Sequence, residues 1–595
     1  MLKKLNATLF TLLLASPLFL SFYQAGNRFE IIREVAPLLA LGVGILTWLF
    51  VRGFKKSTQP TSLPLLLLFL GFLLTTTLSW MSSDITSFGF AEVFVLWMCF
   101  LVYLPFSQEE TWGPKVTRAL ALTLVAASVI GVYGYLTTDH TRFFGFFYNP
   151  ELKPDAWPNA YADFFLMTFP FLTLLLFDTN RKGRVLSLAT LLLLAFVLAG
   201  FVLTASRGAF LALIPALGFF ALVQLHRHRF ASVMKLFKLK TLLSGLVILI
   251  CTVAFTTGIT NLKNQSSEAV DLGARLNFAE AEGGNSFSER LQFFEGALTM
   301  IREKPLLGYG PSSFKFAYQA YQQGFLAISD HPHNLWLKLA VERGIPSALF
   351  LLAFLGFLFV KTNPFRKDSR DTFTLAAWTG LLALLAHSMI DYNLNFVTNA
   401  LIFWFILGVL ASQTSKKKTH LAPAALLLVS VLVAAAGLKL AIDELTFNRL
   451  QTVAQVEAFH PLLPSYEWYE KIGSTQDPLF ITATIQKQID SNPMDSNGWS
   501  LLGQEKEREG DLEAAREAYE KSIEVSPKNT FSHYLALAKI LTLQNDAAAL
   551  QTLSDQLAPL FEEYQKLYDA NLHFTRGTKE MEYVEELKAI LPSQL

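Results

Sequence analysis

Charged residues are scarce in this chain of 595 residues. Asp, Glu, Lys and Arg together make up 16% of it, whereas a soluble protein of this length carries about a quarter. Hydrophobic residues reach 52%, and Phe alone contributes 52 residues. The shortage of charge argues against an ordinary soluble enzyme and predicts a membrane protein.

Cysteine and concentrated basic sequence are also lacking. The two cysteines, Cys99 and Cys251, lie in apolar runs, so neither a disulfide framework nor a thiolate metal site is predicted. No block of the chain combines basic and aromatic residues in the way that nucleic-acid-binding proteins do. We therefore expect no nucleic-acid partner.

The net charge of +1 hides a division of the chain into two parts. Residues 442–595 hold 25 acidic and 13 basic residues, a balance of −12, and residues 1–441 have a balance of +13. Such a division predicts two domains: a membrane domain over 1–441, with a large loop at about 261–334, and a separate domain over 442–595.

Thirteen apolar runs are long enough to cross about 30 Å of hydrocarbon, and as spans they should be helices because lipid cannot satisfy backbone polar groups. The first could pass for a signal peptide, but its poor cleavage pattern favours an uncleaved span. The runs lie at about 6–23, 34–51, 62–80, 87–105, 118–137, 159–177, 185–203, 208–225, 241–260, 335–360, 372–390, 396–412 and 421–440.

Basic residues occur in every second loop between these runs. Examples are "VRGFKK" at 51–56, "NRKGR" at 180–184 and "KKK" at 416–418, whereas "MSSD" at 81–84 has no basic residue. The positive-inside rule then predicts a cytoplasmic N-terminus. The loop 261–334 and the tail lie outside, although a miscount by one span would move the tail to the other side.

The tail contains one helical repeat. Residues 497–530 have the spacing of a tetratricopeptide repeat, in which small residues let two antiparallel helices pack closely. Weaker amphipathic spacing at Tyr534, Leu537 and Ile540 predicts helical neighbours. The tail could be a structural cap or a docking surface for a protein partner, and we favour the second. The residues that match the repeat are Trp499, Leu502, Gly503, Gly510, Ala515, Tyr519 and Pro527.

Two arginines on the outer side are candidate anion ligands. Arg207 lies between two apolar runs, where a charge is costly and often functional, although it could also snorkel from a helix end. Arg290 lies near the start of a helix expected over 289–301, where a base opposes the helix dipole unless an anion binds there. A guanidinium offers a planar donor fork to phosphate oxygens.

The stretch "HPHNLWLKLAVERG" at 331–344 places two histidines at the start of an apolar run. A histidine titrates near neutral pH and can accept a proton from a hydroxyl. The spacing of His331 and His333 does not put both on one helical face, which disfavours a zinc pair on a helix. The alternative is a hydrogen-bonded histidine at the membrane interface.

Four motifs together resemble the O-antigen ligase and polymerase family, over roughly residues 35–412. In chain order they are the segment 141–165, "SRG" at 206–208, the stretch from Arg290 to Gly310, and His333-Asn334 followed, after nine intervening residues, by Gly344. The family's last motif ends in a further glycine, whose position is taken here by Ser347. In the first motif, an extra segment separates Asn149-Pro150 from Pro158-Asn159.

The resemblance implies an inverting, metal-independent glycosyltransferase without a cofactor, built as a GT-C-like all-α membrane bundle of about 12–13 spans. Its donor would be a glycan on undecaprenyl diphosphate, at the periplasmic face of the bacterial inner membrane. His333 matches the family's essential histidine and would deprotonate the acceptor hydroxyl. Arg207 and Arg290 match arginines that bind the diphosphate. Arg142 is a further candidate donor, and Asn334 a further candidate substrate ligand.

The acceptor stays open at this point. It could be a lipid A core sugar, a growing glycan in a polymerase, or a serine or threonine of a protein, because the shared motifs concern the donor. A lipid-linked sugar transporter would need polar residues along mid-membrane faces, and these are sparse. A scaffold that recruits other enzymes would explain the tail but not His333.

Overall fold

Helices make up most of the regular structure that the computed structural model describes. Two strands of two residues each, β1 (Tyr148–Asn149) and β2 (Asp155–Ala156), form an antiparallel pair. β1 ends at Asn149, where the extra segment before Pro158 begins, and β2 lies within that segment. The described residues are 62–107, 112–149, 155–179, 188–227, 239–273, 286–325, 328–366, 372–414, 423–464, 468–528, 530–570, 575 and 578–592.

The longer helices before the tail correspond to the apolar runs, with one additional helix in the large loop. They are α1 (Leu63–Met81), α2 (Gly89–Phe106), α3 (Gly113–Thr137), α4 (Pro158–Thr179), α5 (Leu188–Leu203), α6 (Arg207–Arg227), α7 (Leu239–Lys263), α8 (Ser286–Glu303), α9 (Leu335–Thr362), α10 (Thr372–His387), α11 (Val397–Ser412) and α12 (Pro423–Phe447).

Six of these helices are long and apolar enough to cross a membrane: α1, α3, α4, α6, α7 and α9. Four shorter apolar helices accompany them, within α2, α5, α10 and α11. A helix lies at each predicted span from 62–80 onward, whereas the runs at 6–23 and 34–51 lie outside the described residues. The predicted all-α polytopic bundle is therefore confirmed.

The described residues form two compact units. The first takes those within Met1–Gly71, Phe94–Asn277 and Phe350–Leu438, and the second those within Phe72–Val93, Phe278–Leu349 and Lys439–Leu595. In the first unit, α10 packs against α4 and α6, and every residue of α11 is buried. In the second unit, the tail joins two segments that come much earlier in the chain, Phe72–Val93 and Phe278–Leu349.

The helix α9 is broken in the second unit, where the sequence predicts a continuous span. Gly344 has φ 79° and ψ 162°, and Pro346 follows two residues later. A Cβ at position 344 would overlap the carbonyl oxygen of Leu306. Only glycine therefore fits both the backbone angle and the space, which explains why the motif requires a glycine here.

The tail is helical, as its spacing predicts. In the helix pair α16–α17, Tyr519 packs over Gly503, and Gly510 ends the first helix in a left-handed conformation. Tyr534, Leu537 and Ile540 are buried in the next helix. The tail helices are α13 (Val453–Ala458), α14 (Trp468–Gly473), α15 (Pro478–Ser491), α16 (Ser496–Glu509), α17 (Leu512–Val525), α18 (Ser532–Leu543), α19 (Ala547–Asp569) and α20 (Glu580–Ile590).

We expect Gly344→Ala to destabilise the protein by about 3 kcal/mol or more, because it combines a left-handed backbone with a backbone overlap. The measurement is thermal loss of the monodisperse fraction in detergent. Gly356→Ala in the same helix is the matched control. Among the described residues, no atom beyond the adjoining residues and the nearby backbone of the helix lies within 4 Å of that Cβ, and alanine favours a helix by about 1 kcal/mol. Equal melting temperatures for the two variants would contradict this reading of the kink.

Candidate active site

The turn at 305–310 runs alongside the broken part of α9 and pairs with its backbone. Tyr309 N donates to Val341 O at 3.0 Å, and Ile345 N donates to Pro305 O at 2.8 Å. In an unbroken helix Ile345 N would donate to Val341 O instead. The turn therefore supplies hydrogen-bond partners for the Val341 carbonyl and the Ile345 N–H, which the kink at Gly344 separates.

Pro346 leaves one further carbonyl without its helical donor, because proline has no N–H. That carbonyl belongs to Glu342, and two other groups donate to it. Gly310 N lies 2.8 Å away and Ser79 Oγ lies 2.7 Å away. The "PLLGYG" motif and α1 thus satisfy a buried acceptor that would otherwise cost free energy.

Four buried charged side chains lie beside the kink: Glu92 of α2, and Lys338, Glu342 and Arg343 of α9. Lys338 Nζ lies 2.9 Å from Glu92 Oε1 and also bonds to Glu342, while Arg343 bonds to the other oxygen of Glu92. No side chain in this quartet is more than 5% exposed. Two acids and two bases cancel, which makes the burial of charge tolerable.

The carboxylate of Glu342 also orients the chain that follows "PLLGYG". Its Oε2 accepts from Ser312 N at 3.1 Å, and its Oε1 from Phe314 N at 3.4 Å. The quartet therefore joins α2, the start of α9 and residues 312–314.

A second polar cluster attaches the same turn to α8. Tyr309 Oη donates to Glu303 Oε2 at 3.0 Å and lies 2.7 Å from Tyr321 Oη, which bonds to the same carboxylate. Burial raises the pKa of the Tyr309 phenol above its ordinary value, and its two neighbours raise it further. Both phenols therefore stay protonated as donors at neutral pH.

His333 has a left-handed backbone, with φ 51°, which is uncommon outside glycine and costs about 1 kcal/mol or more. Ser329 Oγ donates to His331 O at 2.7 Å, so its oxygen can accept from His333 Nε2 at 3.2 Å. We therefore assign the neutral ring the Nε2–H tautomer, with Nδ1 as its basic nitrogen. The Phe293 ring lies 5.9 Å from the imidazole.

Asn334 caps the helix that His333 precedes. Its Oδ1 accepts from Trp336 N at 2.9 Å and from Leu337 N at 3.0 Å. Such a cap stabilises a helix start by about 1 kcal/mol. The structure thus gives Asn334 a structural role, and its contact with substrate stays a prediction.

Arg290 lies on α8, one turn before Phe293. The helix begins at Ser286, three residues earlier than the sequence predicts. The argument from a helix N-terminus therefore applies less directly to Arg290, because the dipole effect is confined to the first turn. Its Nε is buried and has no hydrogen-bond partner among the described residues. This N–H is therefore a candidate donor to a substrate oxygen.

Arg142 lies in the first unit, where protein groups use much of its guanidinium. Its Nε donates to Thr204 O at 2.8 Å, and one terminal nitrogen donates to Asn159 Oδ1 at 2.9 Å. Asn159 in turn donates to Asp391 Oδ2 at 2.8 Å. Arg142 therefore holds the turn that leads to Arg207, and binding of phosphate by Arg142 itself stays a prediction.

Arg207 is the first residue of α6, after a turn in which Ala205 has φ 47°. The next residue, Gly208, faces a histidine that the sequence reading missed. A Cβ on Gly208 would lie 2.8 Å from His387 Nε2. The other ring nitrogen, Nδ1, lies 2.6 Å from Asp163 Oδ1 in a buried pair.

Asn393 completes this pair by donating to Asp163 Oδ2 at 3.0 Å. Asp163 and His387 lie inside predicted spans, and an ionisable residue there is a functional candidate by default. That signal could have identified them before the structure.

The structure thus brings the predicted site residues together in two groups. His333 and Asn334 lie in the second unit, where Phe293 links the His333 ring to the helix of Arg290. Arg142 and Arg207 lie in the first unit, on either side of the turn at 204–206.

Comparison with known families yields one match. Residues 189–352 match the model of a family described as O-Antigen ligase. The matched segment extends from α5 into α9 and includes Arg207, Arg290 and His333, whereas Arg142 and the tail lie outside it. No curated protein matches the chain. The match supports a glycosyltransferase-type enzyme that acts on lipid-linked glycans in a multi-pass membrane protein.

We expect Lys338→Met to destabilise the protein by about 3–5 kcal/mol, because it leaves the quartet with an uncompensated negative charge. Thermal unfolding in detergent measures this. The double variant Lys338→Met/Glu342→Gln restores neutrality and should recover part of the loss.

Lys304→Met is the matched control, since its pair with Asp84 at 3.2 Å is exposed and is worth about 1 kcal/mol or less. If Lys338→Met were no more harmful than Lys304→Met, the quartet would not be a buried neutral unit.

Proposed function

We propose that this protein transfers a glycan from undecaprenyl diphosphate to an acceptor hydroxyl, with a lipid A core sugar as the first candidate acceptor. The observation that carries the proposal is His333, held in a left-handed backbone beside the Ser329 hydroxyl, inside the segment that matches the O-Antigen ligase family. Strain of this kind is concentrated at functional sites.

His333 acts as the general base. The acceptor oxygen attacks the anomeric carbon of the donor sugar from the face opposite the diphosphate, and its proton passes to Nδ1 of His333. The bond from the anomeric carbon to the diphosphate oxygen breaks, and its electron pair leaves with undecaprenyl diphosphate. The configuration at the anomeric carbon is therefore inverted, and no metal ion is needed as a step in this scheme.

Arg207 and Arg290 stabilise the leaving group. Negative charge grows on the diphosphate as the glycosidic bond breaks, so donors already in position stabilise the transition state more than the ground state. The buried Nε of Arg290 supports this role, because no described residue bonds to it. Arg142 contributes by holding the turn before Arg207, and Asn334 by capping the helix after His333.

The reaction takes place on the periplasmic side of the bacterial inner membrane. The tail and residues 278–349 belong to one compact unit, which supports a location of both on the same side of the membrane. Four helices, α9 to α12, separate His333 from the tail, and this even number agrees with a shared side. The basic loops at 361–370 and 416–418 support an outer location for both.

A transfer assay with the purified full-length protein tests this proposal. The donor is undecaprenyl-diphosphate glycan, and the parallel acceptors are lipid A core, a repeat-unit glycan and a serine-rich peptide. We expect transfer to lipid A core in the presence of EDTA. His333→Ala should lower kcat about 10²- to 10⁴-fold, as loss of a general base does, while His460→Ala, in the exposed part of the tail, should have no effect.

Arg207→Ala and Arg290→Ala should lower kcat/KM for the donor about 100-fold or more and leave the acceptor KM nearly unchanged. Arg302→Ala, at an exposed position of the same helix as Arg290, is the control. A His333→Ala variant that matched wild type on every acceptor would remove the base. Transfer only to glycan or peptide would reassign the acceptor, and donor movement without transfer would favour a transporter.

Fusion of a reporter after Leu595 tests the side of the membrane. Alkaline phosphatase folds only in the periplasm, so we expect an active phosphatase fusion and a dark green-fluorescent-protein fusion. The reverse pair of results would put the tail, and His333 with it, in the cytoplasm.

A further inference from the structure

The hydrophobic core of the tail contains one residue from outside the tail. Phe325 belongs to the large loop, yet it is only 6% exposed and is part of the cluster formed by α17 to α20. Its ring lies 5.4 Å from Phe531 and 5.2 Å from Tyr564. The tail core is therefore completed by a side chain that lies more than a hundred residues earlier in the chain.

Two charged side chains of the tail hold the backbone around Phe325. Phe325 N donates to Glu563 Oε1 at 3.3 Å, and Lys528 donates to Gln323 O. Lys528 and Glu563 also lie 3.6 Å apart. Residues 323–325 are thus fixed by both side-chain burial and backbone hydrogen bonds, which limits their freedom more than burial alone would.

The tail has a second attachment near α2. Ser491 O, at the end of α15, accepts from Thr86 N at 3.0 Å and from Thr86 Oγ1 at 3.1 Å. Met494 packs against the cluster that contains Phe293 and Tyr309. Within the second unit, the tail therefore packs against the cluster that contains Phe293, the ring that lies beside His333.

The position of Phe325 in the chain connects this attachment to the candidate base. Ser329, which bonds to His333 Nε2, follows Phe325 by four residues, and four residues span at most about 14 Å. The left-handed backbone of His333 persists only where its surroundings determine it strongly. The Phe293 ring of α8 lies 5.9 Å from the imidazole, and the Ser329 hydroxyl at Nε2 supplies a second constraint.

We infer that the tail is a positioning element of the candidate active site: by holding residues 323–325, it keeps Ser329 against the His333 ring. Phe325 and Glu563 are positioning residues, and neither touches the substrate. The inference rests on the proposed function only in taking His333 as the base, and its geometric part can be measured without turnover.

The reactivity of His333 toward diethyl pyrocarbonate tests the geometric part. The reagent is added to full-length protein in detergent without donor, and fragmentation mass spectrometry separates His333 from His331. We expect Phe325→Ala and Glu563→Ala to raise the His333 rate several-fold, because Ser329 no longer holds the ring. Glu562→Ala, at the exposed neighbouring position, should behave as wild type, and the rate at exposed His460 should not change.

The transfer assay tests the catalytic part. Both variants should lower kcat about 10- to 100-fold with little change in the donor KM, since a displaced base weakens the chemical step. Phe325→Leu should recover much of the loss. Hydrogen exchange of α16 to α20 reports whether the tail stays folded. If Phe325→Ala unfolds the tail, Glu563→Ala tests the inference instead, because Glu563 is partly exposed and its loss should leave the tail core intact.

Unchanged His333 reactivity in Glu563→Ala would overturn the inference, and so would unchanged kcat in an active enzyme. If wild type transfers glycan to none of the acceptors, the proposed function fails. The reactivity of His333 still decides, in that case, whether the tail positions it.

Discussion

The candidate site depends on one constraint: peptide groups in an apolar environment must have hydrogen-bond partners. Gly344 and Pro346 break α9 and remove helical partners from the carbonyls of Val341 and Glu342. The turn at 305–310 supplies the missing N–H groups, so it must run beside the kink. The backbone of the loop is thereby fixed against the helix, and the residues before that helix, including His333, occupy a defined place.

Buried charge strengthens the same arrangement. Glu92, Lys338, Glu342 and Arg343 form a neutral quartet that holds the start of α9 against α2. A buried ion pair adds little net stability compared with apolar residues, but its loss is costly, so it selects one geometry over others. We interpret the quartet as a set of contacts that orients the start of α9 relative to α2. The quartet lies after His333 in the chain, in α9, whereas the contact of the tail with Phe325 lies before His333.

For two of the residues that sequence reasoning named, the structure shows protein contacts that the residue type did not reveal. The guanidinium of Arg142 bonds to Thr204 O and Asn159. The side-chain oxygen of Asn334 caps a helix, and the substrate contacts of both residues stay predictions. In each case the residue type indicated a polar function, and the partner depended on which distant segment packs beside it. The pair of Asp163 and His387 was missed because two separate spans contribute it.

The sequence by itself determined where the described membrane helices lie, because a bilayer requires long apolar runs whatever their neighbours are. It also determined the helical pairing in the tail. Only the tertiary structure decided that Glu92 meets Arg343, 251 residues later, and that Phe325 completes the core of the tail. Hydropathy and helical periodicity are local properties of the chain, whereas these contacts depend on how distant segments pack.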